Sequence, residues 1–277
     1  AQINATLLAS GNVGYQPSAN FNGSDTLAVL VDDAGNTGTG GARQAAGSVL
    51  IDVTSVNDAP AGADKTVTVL EDSSYTFSAS DFGFSDESDS PANSLSVVVI
   101  VSLPGAGDLK LDGVAVTAGQ SIAVADLGKL VYAPVANANG AGYASFTFQV
   151  QDNGGTADGG VDLAPLVSTI TVDVTSVNDA PAGTDKTVTV LEDGSYTFAA
   201  SDFGFSDASD SPANALLAVV IATLPGAGDL RLDGVAVTAG QSIAVADLGK
   251  LVYAPAANAN GAGYASFAFQ VQDDGGT

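Results

Sequence analysis

The sequence has no cysteine, no histidine, no tryptophan and no methionine in 277 residues. Without cysteine there is no disulfide and no thiolate to act as ligand or nucleophile. That leaves the compartment open, because large secreted chains need no disulfides. With histidine also missing, the conventional acid–base set shrinks to carboxylate pairs. The lack of tryptophan, with most phenylalanine and tyrosine inside strand patterns, removes the exposed aromatics that ligand sites usually display. Bases are scarce: 7 Lys+Arg stand against 31 Asp+Glu, a net charge of −24. Binding phosphates requires basic patches, so nucleic acid is excluded as a partner and an anionic membrane surface is disfavoured. No apolar run nears the ~18 residues of a spanning helix; Val97–Val101 is strand-sized, and no membrane insertion is expected. An acidic chain can be disordered, but 45% hydrophobic residues in regular strand patterns argue against that. A highly solvated acidic surface or neutralisation by cations remains.

What is present is a repeat. Residues 52–156 return at 173–277, a fixed shift of 121, and Val56–Thr156 differs from Val177–Thr277 at 13 of 101 positions. Long self-similarity at constant spacing is the signature of a modular array. The expected division is a C-terminal part of a shorter repeat at 1–58, a complete repeat at 59–179, and a partial repeat lacking its last strand at 180–277. A unit of 121 residues is long enough to bury a core of its own. The unit at 59–179 carries 15 acids and 3 bases, or −12. No signal peptide is visible and Ala1 is not Met, so a mature segment or a window cut from a longer protein is expected, the second favoured because the sequence stops mid-repeat.

Helix signals are nearly missing; only Ala123–Leu127 reads as a helical turn. Elsewhere apolar residues alternate with small polar ones between Gly, Asn, Asp and Pro, the pattern of many short strands. Val67 and Val69, Tyr75 and Phe77, the run Leu95–Leu103, Leu109 and Leu111, Val114 and Val116, Lys129–Tyr132, Phe146 to Val150, and Ile170 to Val174 mark them. Asp112-Gly113 is a two-residue hairpin signal, and 157–166 reads as a loop. Tyr143 is a candidate tyrosine-corner residue or an ordinary core-edge tyrosine. Seven or more strands in one unit predict an all-β chain of tandem, immunoglobulin-like antiparallel β-sandwiches. The head matches the same scheme, with Tyr15, Asn20, Asn22-Gly23 and Leu27 to Asp33 parallel to Tyr132, Asn137, Asn139-Gly140 and Phe146 to Asp152.

The acids gather at strand ends: Glu71-Asp72, then Asp81, Asp86, Glu87 and Asp89, then Asp152, and the junctions Asn57-Asp58 and Asn178-Asp179. Antiparallel topology places Asn57, Asp58, members of Asp81/Asp86/Asp89, and Asp152 at one pole. It places Glu71 at the other, beside Asn178 and Asp179 of the next junction. Crowded carboxylates either protonate or hold a cation. Hard oxygen donors without His or Cys select calcium (Ca2+). The alternative is solvated loop acids, since Asp and Asn favour turns. The candidate ligands are Asn57, Asp58, Glu71, Asp72, Asp81, Asp86, Asp89 and Asp152, and at +121 Asn178, Asp179, Glu192, Asp193, Asp202, Asp207, Asp210 and Asp273.

The junction Val56-Asn57-Asp58-Ala59-Pro60, with Glu71-Asp72 eleven and twelve residues past the proline, resembles the cadherin-like repeats of giant bacterial surface adhesins. The stretch from Leu103-Pro104 through Gly107-Asp108-Leu109 and Leu130-Val131-Tyr132 to Phe146–Asp152 is also similar to chondroitin sulfate proteoglycan repeats. The resemblance implies an immunoglobulin-like sandwich, secretion to a bacterial cell surface, and calcium at stiffened junctions. By position it implies ligation by Glu71, Asn57, Asp58, Asp86, Asp89 and Asp152 and their partners at +121. The sequence departs from the cadherin pattern in spacing its loop acids as Asp81, Asp86 and Asp89 instead of a tight Asp-x-Asp.

The leading expectation is a structural, non-enzymatic repeat region of an extracellular adhesin or filament supporting adhesion or biofilm formation. Its partners would be neighbouring repeats of the same chain. A glycan- or protein-recognition module is the alternative. Residues 182–277 carry every strand except the last and 1–56 carry only later strands, so strand donation between copies in a filament is a further option beside a simple cut.

Overall fold

The computed structural model describes residue 11 and residues 13–35 and 39–276. The expectations that fall on residues 1–10, 12, 36–38 and 277 lie outside the described residues. Regular structure among those described is β-strand and short 3₁₀ turns. In the head, β1 (Gly23–Asp32) and β2 (Gln44–Val53) form an antiparallel two-stranded ribbon, exposed along nearly its whole length.

The middle unit has nine strands. They are β3 (Lys65–Leu70), β4 (Tyr75–Thr76), β5 (Leu95–Ile100), β6 (Asp108–Leu111), β7 (Val114–Ala115), β8 (Gln120–Ala123), β9 (Leu130–Ala133), β10 (Gly140–Asp152) and β11 (Ser168–Thr175). They build two sheets, β3-β11-β10-β5-β8 and β4-β9-β6-β7. All pairings are antiparallel except β3 with β11, which run parallel from Lys65↔Ile170 to Leu70↔Thr175. Period-two alternation sends one row of each strand inward. Phe146, Phe148 and Val150 of β10, Ile170 and Val172 of β11, Val98 and Ile100 of β5, and Tyr132 of β9 have no exposed surface. The rings of Phe82 and Phe148 stack edge to face at 4.9 Å, as do Phe77 and Phe146 at 5.5 Å. Burial pushes the Tyr132 phenol up to about 12, and its hydroxyl donates to the Ala106 carbonyl at 2.9 Å. Gly107 keeps that contact possible: at φ +74°, a Cβ there would collide with the Tyr132 hydroxyl.

Three local expectations change. The helical turn is a 3₁₀ turn at Val124–Lys129. Strand β8 carried no strand expectation, because Gln120–Ala123 has too few large apolar residues to show alternation. The segment 157–166 is partly built in: Ala164 is buried, Leu163 bridges Gln151, and the Val161 amide donates to the Asn57 carbonyl at 2.9 Å. Tyr143 packs against the core rim.

The terminal unit repeats this plan with β12 (Tyr196–Thr197), β13 (Leu216–Ile221), β14 (Asp229–Leu232), β15 (Val235–Ala236), β16 (Gln241–Ala244), β17 (Leu251–Ala254) and β18 (Phe269–Asp273). Its sheets are β12-β17-β14-β15 and β16-β13-β18, around a second core centred on Phe198, Phe203, Val219, Ile221 and Leu251.

Candidate metal centre

Strand direction delivers the acids to the poles. β10 ends at Asp152, and the loop after β4 carries Asp86 and Asp89 to the same end, beneath the junction at 57–58. There the Asn57 side-chain amide donates to Asp152 at 3.1 Å and to the Val161 carbonyl at 2.8 Å. The Asp58 amide donates to Asp89 at 2.9 Å. Gly154 lies so close that a Cβ would fall on the Asn57 side chain, and Gly275 stands in the same relation to Asn178. Asn57, Asp58, Asp86, Asp89 and Asp152 are therefore one group, and Asn178, Asp179, Asp207, Asp210 and Asp273 repeat it. In the repeat, Asn178 donates to Asp273 at 3.3 Å and the Asp179 amide to Asp210 at 3.1 Å.

Glu71 lies at the opposite pole of the middle unit, where β3 ends beside β11. Its amide donates to the Thr175 carbonyl at 2.9 Å, and its carboxylate accepts the Val177 amide at 2.6 Å and the Asn139 side chain at 3.0 Å. The chain then turns through Asn178-Asp179 into the terminal unit. One carboxylate oxygen each from Glu71, Asp179 and Asp210 come to lie within 4.8 Å of one another. The three belong to three segments: the end of β3, the linker, and a loop of the following unit. Glu71 and Asp210 are buried, at 2% and 7% exposure.

This concentration of negative charge has no basic partner among the described residues. Buried oxygens stand without a hydrogen bond at Asp179 Oδ2 and Asp207 Oδ1, and at Asp86 Oδ1 in the first group. Burial, then the charges of Asp72, Glu71 and Asp207, hold the Asp179 carboxyl above its ordinary pKa. Asp210 is raised by burial, opposed by the Asp179 amide, with the neighbouring Asp207 adding to the rise. Asp152 is raised by burial, with Gly154 and Asn57 pulling down and the charges of Asp86 and Asp162 pushing up. Desolvated carboxylates with free lone pairs and no counter-charge are chemically suited to a hard cation.

Not every predicted residue belongs. Asp81 and Asp202 stand apart, because each already has a cation. Lys65 Nζ reaches Asp81 at 2.6 Å and Lys186 reaches Asp202 at 2.6 Å. The other Asp81 oxygen accepts the Ser78 amide at 2.7 Å, capping the 3₁₀ turn Ala79–Asp81. Burial alone would raise the Asp81 pKa. Lys65, the Ser78 amide and hydroxyl, and the Tyr75 hydroxyl outweigh it and hold the carboxyl below its usual 3.8. The sign follows: stabilisation by this carboxylate is complete above pH 3.8 and fades as pH falls through the lower folded value. We expect Asp81→Asn to destabilise the middle unit by roughly 1 kcal/mol near neutrality, since Lys65 stays 40% exposed and solvent screens the pair. Denaturant melts at neutral pH and below pH 3.8 should show the gap closing.

Asp72 and Asp193 are exposed turn residues at φ +58° and +61°, accepting the Asn137 and Asn258 amides at 3.1 and 2.8 Å. Asp72 contributes to the second junction through its charge on Asp179. Glu192 is exposed and, among the described residues, accepts only the Asn260 side chain, at 2.7 Å. The expectations missed Asn93 and Asn214. The Asn93 amide donates to Asp86 at 2.5 Å, and its side chain touches Asn57 and Asp89; Asn214 does the same at +121. A search for acids passes over amides, although a retained Asn seven residues after the retained Asp was a signal in the repeat.

With two sandwiches in tandem, each bearing this pole, a family assignment can be made. The family model of the bacterial Ig domain matches residues 57–164 and again residues 178–277. The chain belongs to the bacterial Ig domain family. No curated protein matches it. The bacterial Ig domain is a structural fold, consistent with a surface repeat region, and no described helix is long and apolar enough to cross a membrane.

Proposed function

We propose that this chain is a structural repeat region of a secreted or cell-surface bacterial adhesin or filament, its junctions stiffened by calcium, supporting adhesion or biofilm formation. Its partners are the neighbouring repeats and, in a filament, other copies; nucleic acid and membrane insertion play no part. The observation that carries the reading is the convergence of Glu71, Asp179 and Asp210 from two units and their linker, all oxygen donors within 4.8 Å. The likeness of the Asn-Asp-Ala-Pro junction to cadherin-like adhesin repeats supports it from the sequence side.

Glu71, Asp179 and Asp210 would hold the ion at the second junction, with Asp207 and Asp72 beside them. Asn57, Asp58, Asp86, Asp89 and Asp152 would do so at the first. A divalent cation there supplies the positive charge that the carboxylates lack. The carboxylates themselves set the angle between units: unneutralised they repel across the linker, and neutralised they let Glu71 and Asp210 stay close. Extracellular modules typically bind calcium at ~10⁻⁴–10⁻³ M.

The test is calcium titration by calorimetry with metal counting by mass spectrometry, alongside melting and small-angle scattering with and without chelator. Chelation is expected to lower the melting temperature and to make the array more bent or compact. Indistinguishable melts and scattering profiles, with no metal retained, would sink the proposal.

A further inference from the structure

Asn153-Gly154 forms the bend that follows β10. The side-chain carbonyl of Asn153 accepts the Ser94 amide at 2.8 Å. One residue on, the Gly154 amide donates to the Asp152 carboxylate at 2.8 Å. Gly154 is seated so tightly against Asn57 that a Cβ on it would fall on that side chain, which holds its nitrogen in place. Asn153 itself is exposed and within reach of water. A carbonyl that accepts a fixed N–H is polarised toward attack, and the same N–H stabilises the oxyanion that attack creates. The nitrogen of a glycine, with no side chain beside it, is the least hindered nucleophile the main chain offers. The repeat adds an independent observation. At +121 the chain carries Asp274 in place of Asn153, the acid that remains when the amide nitrogen is lost. Asp274 keeps the frame: it accepts the Ala215 amide at 2.7 Å, while the Gly275 amide donates to Asp273 at 3.0 Å.

We propose that Asn153-Gly154 is a self-modification site, at which the folded chain converts Asn153 to an acidic residue without an enzyme. The Gly154 nitrogen attacks the side-chain carbonyl carbon of Asn153, and the new C–N bond closes a five-membered succinimide. The bond from that carbon to the side-chain NH2 group breaks, and the proton given up by Gly154 leaves with it as ammonia. Water then opens the ring at one of its two carbonyls, leaving aspartate or isoaspartate. No other reactant is needed. The Ser94 amide is the oxyanion donor, and Asp152 and Asn57 position the attacking nitrogen, so the geometry is prepaid by the fold. The other Asn-Gly steps, at 22, 139 and 260, lack this frame. Asn139 and Asn260 are held through their NH2 groups, by Glu71 at 3.0 Å and Glu192 at 2.7 Å, and Gly140 is paired with Val174 in the β10–β11 ladder. Among the described residues no main-chain amide donates to the side-chain carbonyl of any of the three. Conversion adds one negative charge next to Asp152, at the pole where Asn57 and Asp86 already gather, and it needs no bound cation.

The test is a time course of the full chain in mildly alkaline buffer at physiological temperature, folded and in urea. Peptide mapping by mass spectrometry reads the amide-to-acid mass change at each asparagine, and an isoaspartyl methyltransferase assay reads the rerouted product. In urea the steps at 22, 139, 153 and 260 should convert at similar rates, because each asparagine is followed by glycine. In the folded chain Asn153 should convert at least as fast as in urea and on the order of tenfold faster than Asn139 and Asn260, a small part of what one oxyanion donor supplies to an enzyme. Asn153→Gln, whose ring closure would need an extra atom, should stop conversion at 153 and leave the other steps unchanged. Folded-state conversion at 153 that is no faster than at 139 would overturn the proposal. A folded rate at 153 below the rate in urea would also overturn it, by showing that the bend protects Asn153 instead of activating it.

Discussion

Replacing Glu71 by Gln is expected to abolish the response of the second junction to calcium while leaving the cation-free chain as stable as before, or slightly more so. Glu71 is 2% exposed and lies among carboxylates, with its own oxygen within 4.8 Å of oxygens from Asp179 and Asp210. Gln keeps the size and one acceptor for the Val177 amide, and its own NH2 can donate to Asn139 once that side-chain amide flips, so the hydrogen-bonded frame survives. It deletes one charge from a cluster that has no basic partner, which removes repulsion without a cation and a ligand with one. Like charges at this spacing interact by about 1–4 kcal/mol at effective dielectric constants between water and a protein surface. The calcium-dependent rise in melting temperature, and the change in scattering profile, should both shrink to what the first junction supplies. Glu71→Ala is the harsher variant. It leaves the Val177 and Asn139 N–H groups without their acceptor; both bonds are only part-buried, so each loss falls at the low end of the about 1–3 kcal/mol for a buried group, and stability falls with or without calcium. Glu192→Gln is the internal control. It is the same residue at +121, exposed, and expected to change neither curve. Equal effects at 71 and 192 would show that the junction has no special role.

The poles were legible because β topology is nearly a rule of parity. Once Phe146–Val150 and Ile170–Val174 are read as antiparallel neighbours, Asp152 and Asn178-Asp179 must lie at opposite ends, and a first strand descending from the junction puts Glu71 with the latter. What parity cannot supply is the partner of each acid. Asp81, Asp86 and Asp89 look alike in sequence, yet Asp81 is taken by Lys65, sixteen residues upstream, across the edge of the sandwich. Nothing in the local pattern announces a pairing between the start of β3 and the 3₁₀ turn after β4. The parallel pairing of β3 with β11 was hidden for the same reason: Val67 and Val69 alternate equally well beside any partner. Asn93 had only its retention in the repeat to mark it, because its role is to fill space between Asn57 and Asp89, a contact set by where two loops meet.

The repeat also allows one substitution to be made twice in nearly the same sequence and in two different surroundings. Phe148→Ala is expected to cost the middle unit about 3–5 kcal/mol. Phe148 is fully buried, stacks edge to face on Phe82 at 4.9 Å, and sits between β11 and β5 with no solvent to fill the cavity. Edge-to-face pairs add about 0.5–1.5 kcal/mol beyond burial. Against a domain stability of ~5–15 kcal/mol, that is a large fraction. At roughly 4–8 °C per kcal/mol the transition should fall by on the order of 15 °C or more. Phe269→Ala removes the equivalent ring, which also stacks on its neighbour, Phe203, at 5.0 Å. Phe269 is only half-buried along an open groove, so less surface returns to water and solvent can enter the space left behind. Its cost should be smaller, because part of its area already faces water and the transfer free energy scales with the apolar area removed from water. Calorimetry resolves the two because the terminal unit, with its open sheet, should melt first. A fall of the upper transition for Phe148→Ala and a smaller fall of the lower one for Phe269→Ala is the expected pattern. Equal shifts would mean that Phe269 is as well covered as Phe148, and that the groove beside it is closed in solution.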